Sequence, residues 1–149
     1  MSAPSRPSCV MQQSITILAV GMCDEDHFTL REALAHCRWN LVTTNTISEA
    51  MRFVECHPIP VILCERDLGD GSWRELLTAA GRSERPSNLI VASRLADDHL
   101  WAEVLNLGGY DVLAKPLDRC EVFHAVTSAW AELALRPQRQ RMRISFPQR

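Results

Sequence analysis

Five short runs, four of them mainly apolar and each followed by an amphipathic segment, are the feature that most limits what this chain can fold into. The runs are rich in Val, Ile and Leu, which is typical of strands that are buried on both faces. They lie at 15–20, 40–44, 61–64, 89–92 and 110–114. A strand–helix order repeated five times predicts an α/β fold, in which a parallel sheet is covered by helices on both faces and the crossovers are right-handed.

The segments between the runs carry helix signals. Thr46 and Glu49 have the spacing of a capping box that opens the second helix, and Pro58 is expected to end it. Three acids at 24–26 precede the apolar positions of the first helix, and we interpret them as first-turn charges that the helix dipole favours. Pro137 is expected to end the last helix.

Length and charge divide the chain into three parts. A chain of 149 residues fits one domain, which we place at residues 14–135. Residues 1–13 are rich in Ser and Pro and predict a flexible leader. Residues 136–149 hold five Arg and no acid, so they form a basic tail with a net charge of +5, which we expect to be flexible. The part of the chain before them has a net charge of −7. The acidic domain does not favour nucleic-acid binding.

Other signals narrow the class of protein. No apolar stretch approaches the ~20 residues of a membrane span. The six Cys have irregular spacing and no C-x-x-C pair, which predicts free thiols in a reducing cytosol, and so a cytoplasmic protein. No G-x-G-x-x-G follows the first run and no P-loop motif is present, so the sequence does not support a dinucleotide or P-loop site.

The carboxyl ends of the strands are where a doubly wound sheet places its functional residues. Gly21 and Met22 follow the first run, and Glu65 follows the third. Ser93 follows the fourth run, and Lys115, the only Lys of the chain, follows the fifth. These residues are therefore the candidates for a shared site.

With these residues in place, the chain resembles the receiver domain of bacterial two-component response regulators. The resemblance spans residues 15–133, is carried by 61–71, 89–93 and 108–116, and is most specific in the last segment. It implies a flavodoxin-like (βα)5 three-layer sandwich with the strand order 2-1-3-4-5. It also implies a stand-alone protein of phosphorelay signal transduction that is not an enzyme.

The resemblance assigns roles to individual positions. In the family, an Asp at the end of strand three accepts a phosphoryl group, two acids after strand one hold Mg²⁺, and a hydroxyl and a Lys bind the phosphoryl oxygens. Glu65 takes the acceptor position here, with Asp67 as its rival. Ser93 and Lys115 take the phosphate-pocket positions, and Pro116 follows a Lys–Pro bond that is typically cis in the family.

Four positions depart from the family pattern. Gly21 and Met22 stand where the acidic pair belongs, and Val112 stands at the aromatic switch position, whose hydroxyl counterpart is Ser93. Mg²⁺ binds poorly without carboxylates, so no cofactor is expected and Mg²⁺ binding should be weak or absent. A Glu acceptor also shifts its carboxylate by roughly 1 Å, which can cost about 100-fold in rate. These departures indicate a pseudo-receiver that is not phosphorylated in the usual way.

Two states of this pocket stay open at the sequence level. Glu65 could reach toward Lys115 and Ser93, which would hold the module near one conformation, such as one resembling the phosphorylated state. Alternatively, the pocket is retired and Glu65 is merely solvated.

A receiver-like module that is not phosphorylated would act by binding other proteins. In the family, the face made by helix 4, strand 5 and helix 5 docks partners or a second copy. The candidate interface residues on these elements are Trp101 and Trp130. Their helical spacing is equally compatible with a place in the core. The expected partner is a histidine kinase or another signalling protein, or a second copy in a homodimer. The competing hypothesis is a flavodoxin-like small-molecule-binding domain or enzyme with no signalling role, against which the missing Gly-rich first loop counts.

Overall fold

The computed structural model describes residues 15–83 and 85–145. The leader predicted at 1–13 lies outside the described residues. Across the part of the chain that is described, no helix is both long and apolar enough to cross a membrane.

Five parallel strands form the central sheet. They are β1 (Ile15–Val20), β2 (Trp39–Thr44), β3 (Val61–Glu65), β4 (Asn88–Ser93) and β5 (Asp111–Ala114). Their order is β2-β1-β3-β4-β5, so the predicted order 2-1-3-4-5 is confirmed. The central strands are buried almost throughout, which explains why their sequences are continuous apolar runs rather than alternating ones.

Five helices complete the sandwich. They are α1 (Asp24–Ala33), α2 (Ile47–Cys56), α3 (Trp73–Arg82), α4 (Asp98–Leu107) and α5 (Arg119–Ser145). The apolar faces of α1 and α5 pack on one side of the sheet, and those of α2, α3 and α4 pack on the other. The predicted flavodoxin-like three-layer architecture is therefore confirmed.

Two local features differ from the sequence prediction. A separate antiparallel hairpin pairs Asp67–Leu68 with Gly71–Ser72, where the sequence indicated only a turn. The last helix runs through Pro137 to Ser145, so the predicted end at Pro137 is wrong. A mid-helix proline removes one backbone donor, and the Gln, Arg and Met that follow are good helix formers. The division between a domain ending at residue 135 and a flexible tail stays a prediction.

The hairpin is attached to the start of α2. Thr46 caps this helix, as predicted, because its hydroxyl accepts a hydrogen bond from Glu49 N at 3.2 Å. In addition, both carboxylate oxygens of Asp70 accept hydrogen bonds, from Ile47 N at 2.9 Å and Ser48 N at 3.1 Å. These backbone bonds hold the pKa of Asp70 below its usual value. The hairpin is thereby fixed beside the carboxyl edge of the sheet.

Candidate functional site

Lys115 lies between two carboxylates at the carboxyl edge of the sheet. Its Nζ is 2.7 Å from Asp26 Oδ2 and donates a second hydrogen bond to Glu65 Oε1. The side chains of Lys115 and Asp26 are 8% and 7% exposed, and that of Glu65 is 21% exposed. One residue follows β5, one lies on α1 and one ends β3, so the sheet topology brings the three together. We call Asp26, Glu65 and Lys115 the ion triad.

The electrostatics of the ion triad favour the charged forms of Lys115 and Asp26. Burial by itself would lower the pKa of Lys115, but the hydrogen bonds to Asp26 and Glu65 and the negative charge of both raise it above its usual value. Burial would raise the pKa of Asp26, yet hydrogen bonds from Lys115 and Cys23 and the ammonium charge hold it below its usual value. The pair is therefore ionised at neutral pH.

Asp26 is the member of the ion triad that the sequence interpretation missed. It does lie in the first turn of α1, as predicted, and its Oδ2 also accepts a hydrogen bond from Cys23 N at 3.4 Å. Unlike its exposed neighbours Asp24 and Glu25, it is buried. The available signal was the spacing to the buried Leu30, because residues four apart share one face of a helix.

The two positions that the resemblance assigned to the acidic pair are enclosed by the surrounding structure. Gly21 has a φ of +75°, and a Cβ at this position would overlap the side chain of Leu68 in the hairpin. Met22 is buried in the core on the α1 and α5 side of the sheet. An acidic side chain at position 21 would therefore need both Leu68 and the backbone to move.

The residues of the pocket do not fit a divalent cation. Two carboxylates are present, but both are paired with the Lys115 ammonium, which a metal ion would have to displace. Mg²⁺ requires several oxygen ligands in near-octahedral geometry. Among the residues that the structure describes, no group of three or more His, Cys, Asp or Glu side chains is arranged to hold a metal ion.

Ser93 lies at the end of β4 and Pro116 lies two residues after the end of β5, as the sequence predicted, and their roles in a phosphate pocket stay predictions. Ser93 ends β4 beside Ala114 of β5, is buried, and has a hydroxyl that accepts a hydrogen bond from Leu95 N at 3.0 Å. Its carbonyl accepts a hydrogen bond from Lys115 N at 3.0 Å, which ties the ends of β4 and β5 together. The Lys115–Pro116 bond is cis, as the resemblance implied.

Glu65, and not its rival Asp67, shares the pocket with Lys115. Asp67 lies in the hairpin with a side chain that is 84% exposed, and its carboxylate is 3.8 Å from Arg66 Nε. Of the contacts that the sequence left open, the structure has the one between Glu65 and Lys115, whereas the Ser93 hydroxyl accepts a hydrogen bond from Leu95 N. That the pocket holds the module near one conformation stays a hypothesis.

The two candidate interface tryptophans lie on different surfaces. Trp101 is 46% exposed on α4 and lines a groove of about 550 Å³ between α4, β5 and α5, together with the buried Val112 and with His124. Trp130 is half-buried against the core on the α1 side and lines a different cavity. The expectation that both belong to the α4–β5–α5 face is therefore wrong for Trp130, because its position on α5 points away from the groove.

The comparisons with known proteins point to one fold. No protein-family model matches the chain, and no curated protein matches it. The signal receiver domain of a Luxo repressor protein from Vibrio parahaemolyticus is similar, with a TM-score of 0.77 and 17% identity over 85% of this chain and 97% of that one. So is the signal receiver domain of an HD domain-containing protein from Pseudomonas fluorescens Pf-5, with a TM-score of 0.73 and 20% identity over 84% and 93%.

A third solved structure, the chemotaxis response regulator CheY4 of Vibrio cholerae, has a TM-score of 0.70 and 13% identity over 78% of this chain and 99% of that one. The shared architecture agrees with the parallel sheet and the two helical layers described above. The chain therefore has the fold of the response regulator receiver domains.

Proposed function

We propose that this protein is a receiver-fold signalling module that acts by protein–protein contact and does not accept a phosphoryl group in the usual Mg²⁺-dependent way. The observation that carries the proposal is the ion triad, in which the Lys115 ammonium is already bound by two carboxylates. The free thiols of the described residues suit a reducing cytosol, where we place the protein.

The chemistry of phosphoryl transfer supports this proposal. The acceptor carboxylate must be free to attack in line, and a divalent cation must neutralise the charge that spreads over the phosphoryl oxygens. Glu65 is instead hydrogen-bonded to Lys115, and Gly21, where a metal-binding acid belongs, is covered by Leu68. Both requirements would have to be met by rearranging groups that already have partners.

The same contacts favour a module with one stable arrangement. In the family, the Lys after strand five binds the phosphoryl oxygens, whereas here Lys115 is paired with the carboxylates of Asp26 and Glu65. Val112 has no aromatic ring that could change rotamer at the switch position. We infer that the module binds its partner constitutively, because no ligand that distinguishes two states is needed.

The α4–β5–α5 groove is the surface that we assign to the partner. On α4, Trp101 and Leu105 are exposed and four residues apart, so they form one apolar stripe. Exposed aromatic residues beside a groove are typical of contact sites that contribute most of the binding energy. A histidine kinase, another signalling protein or a second copy of this chain would dock there.

Incubation with acetyl phosphate and Mg²⁺, followed by intact mass measurement, tests the chemical half of the proposal. We expect no addition of one phosphate under conditions in which an ordinary receiver domain is modified. A stable addition that Glu65→Gln abolishes would overturn it, and so would one that Asp67→Asn abolishes.

In-cell crosslinking of the full chain tests the surface. Trp101→Ala should abolish the crosslinked partner, whereas Phe28→Ala, which removes an exposed aromatic side chain on α1, should leave it unchanged. Equal loss in both variants, or no loss in either, would contradict the assignment of the α4–β5–α5 groove.

A further inference from the structure

The cavity that Trp130 lines is at the opposite edge of the sheet from the ion triad. It has a volume of about 400 Å³ and opens between α5, the start of β2 and the connection from α1 to β2. Ile15, at the start of β1, lines it. Since β1 has six residues, the two edges are about 20 Å apart. We call this space the α1–α5 cavity.

The walls of the α1–α5 cavity are aromatic and are held by regular structure. Phe123, Thr127 and Trp130 lie on α5 at spacings of four and three residues, so they form one stripe along the helix. Trp39, the first residue of β2, faces them across the cavity and is half-buried. A pocket of this size with aromatic walls and few polar groups has the usual form of a small-molecule site.

One guanidinium, that of Arg38, lies at the rim of the α1–α5 cavity. His36, Cys37 and Arg38 line it from the α1–β2 connection, which is held by hydrogen bonds from Cys37 N to Leu34 O at 3.1 Å and from Ile15 N to Arg38 O at 3.3 Å. The ion pairs found among the described residues do not include Arg38. A guanidinium beside aromatic walls, in an otherwise acidic domain, is complementary to a planar anion.

We propose that the α1–α5 cavity binds a flat aromatic monoanion. Its ring system would lie against Trp39 and Trp130, and its carboxylate or similar group would accept hydrogen bonds from Arg38. A volume of about 400 Å³ is near the lower end of small-molecule pockets, which suits one or two fused rings and is too small for a dinucleotide. This site is independent of the ion triad and of the proposed docking groove.

Titration of the full-length protein with 1-naphthoate tests the proposal, with two readouts. Tryptophan fluorescence should be quenched saturably, and the effect should persist in Trp101→Phe, because the quenched rings are Trp39 and Trp130. Alkylation of Cys37 should slow as the probe binds, whereas Cys56, exposed on α2, should react at an unchanged rate.

Charge-matched variants and a neutral probe separate specific binding from general adsorption. Arg38→Gln should weaken 1-naphthoate binding about tenfold, since hydrogen bonds to a charged group contribute roughly that factor. Arg82→Gln, which removes an Arg lining another groove, should leave binding unchanged. The neutral 1-naphthylmethanol should bind more weakly to the unsubstituted protein and be insensitive to Arg38→Gln.

Three results would overturn the proposal. One is 1-naphthoate binding that does not change in Arg38→Gln, and another is equal protection of Cys37 and Cys56. The third is protection of Cys37 in the absence of 1-naphthoate, if that protection increases with protein concentration. A second copy of the chain would then be the occupant of the cavity.

Discussion

Replacing Lys115 with Met would remove the ammonium that two carboxylates share while keeping a side chain of similar length. Asp26 would remain buried without its cation, since its side chain is only 7% exposed. Removing one partner of a buried ion pair typically costs about 3–5 kcal/mol. Because Glu65 is 21% exposed and can turn toward water, we expect the lower end, a loss of about 3 kcal/mol in the free energy of unfolding at pH 7.

Urea unfolding followed by tryptophan fluorescence would measure this loss. With a denaturant slope of about 2 kcal/mol/M, the midpoint should fall by about 1.5 M. Arg119→Met is the matched control, because it removes a cation from the Arg119–Glu32 pair, whose side chains are 66% and 44% exposed at a separation of 3.5 Å. An exposed pair of this kind should change the stability by no more than about 0.5 kcal/mol.

The pH dependence follows from the directions of the two pKa shifts. The lowered pKa of Asp26 stabilises the native state above the ordinary value of 3.8, and this contribution is lost as the pH falls through the lower folded pKa. The raised pKa of Lys115 stabilises it below 10.5, and that contribution is lost as the pH rises through the higher folded pKa. The contribution of the pair should therefore be constant between about pH 5 and pH 9.

In Lys115→Met, burial still raises the pKa of Asp26 and the hydrogen bonds from Cys23 still lower it, but the lowering by Lys115 is lost, so the pKa should be higher than in the unsubstituted protein. The stability deficit of this variant should therefore shrink as the pH falls from 7 toward 4, and adding Asp26→Asn should recover part of the loss at pH 7. A variant with an unchanged midpoint at pH 7, or with a deficit that is the same at pH 7 and pH 4, would refute the claim that the ion triad is buried and mutually neutralised.

Two further predictions concern the neighbourhood of the ion triad. Gly21→Ala should lower the free energy of unfolding by about 1–3 kcal/mol in thermal melts, because the φ of Gly21 is +75° and the added methyl overlaps Leu68. Gly69→Ala is the control and should be nearly neutral, because Gly69 has open space around it. Equal effects of the two substitutions would contradict this account. Burial, with a smaller contribution from the charge of Glu65, raises the pKa of Cys64 to about 12, so iodoacetamide at pH 8 should label the exposed Cys23 and leave Cys64 unmodified in peptide mass maps of the native protein. Labelling of both thiols at similar rates would show that the end of β3 is open to solvent.

The central strands β1, β3 and β4 were predictable because each one is a continuous apolar run, and a strand buried on both faces leaves that pattern in the sequence. The hairpin at 67–72 was missed because two-residue strands have no periodicity to detect. The continuation of α5 past Pro137 was missed because a proline signals a helix end on average, although a helix can continue with one hydrogen bond fewer.

The site was predictable only in part. Lys115 and Glu65 were identified from their places after β5 and β3, and their pairing was one of two open possibilities. Asp26 was assigned to the helix terminus, where it does lie, but its contact with Lys115 spans 89 residues of chain. No local pattern encodes such a distance, and only the spacing to Leu30 hinted that Asp26 faces inward.

The sequence by itself determined the layered architecture, the edge of the sheet where polar side chains gather, and the presence of Gly21 and Met22 rather than acids directly after β1, because all of these follow from the order and type of residues along the chain. The tertiary structure decided which charges share the Lys115 ammonium, that Leu68 fills the space above Gly21, and that Trp101 and Trp130 face different surfaces. These outcomes depend on the rotation of each helix about its axis and on the path of one hairpin, which are set by packing between segments that are distant in sequence.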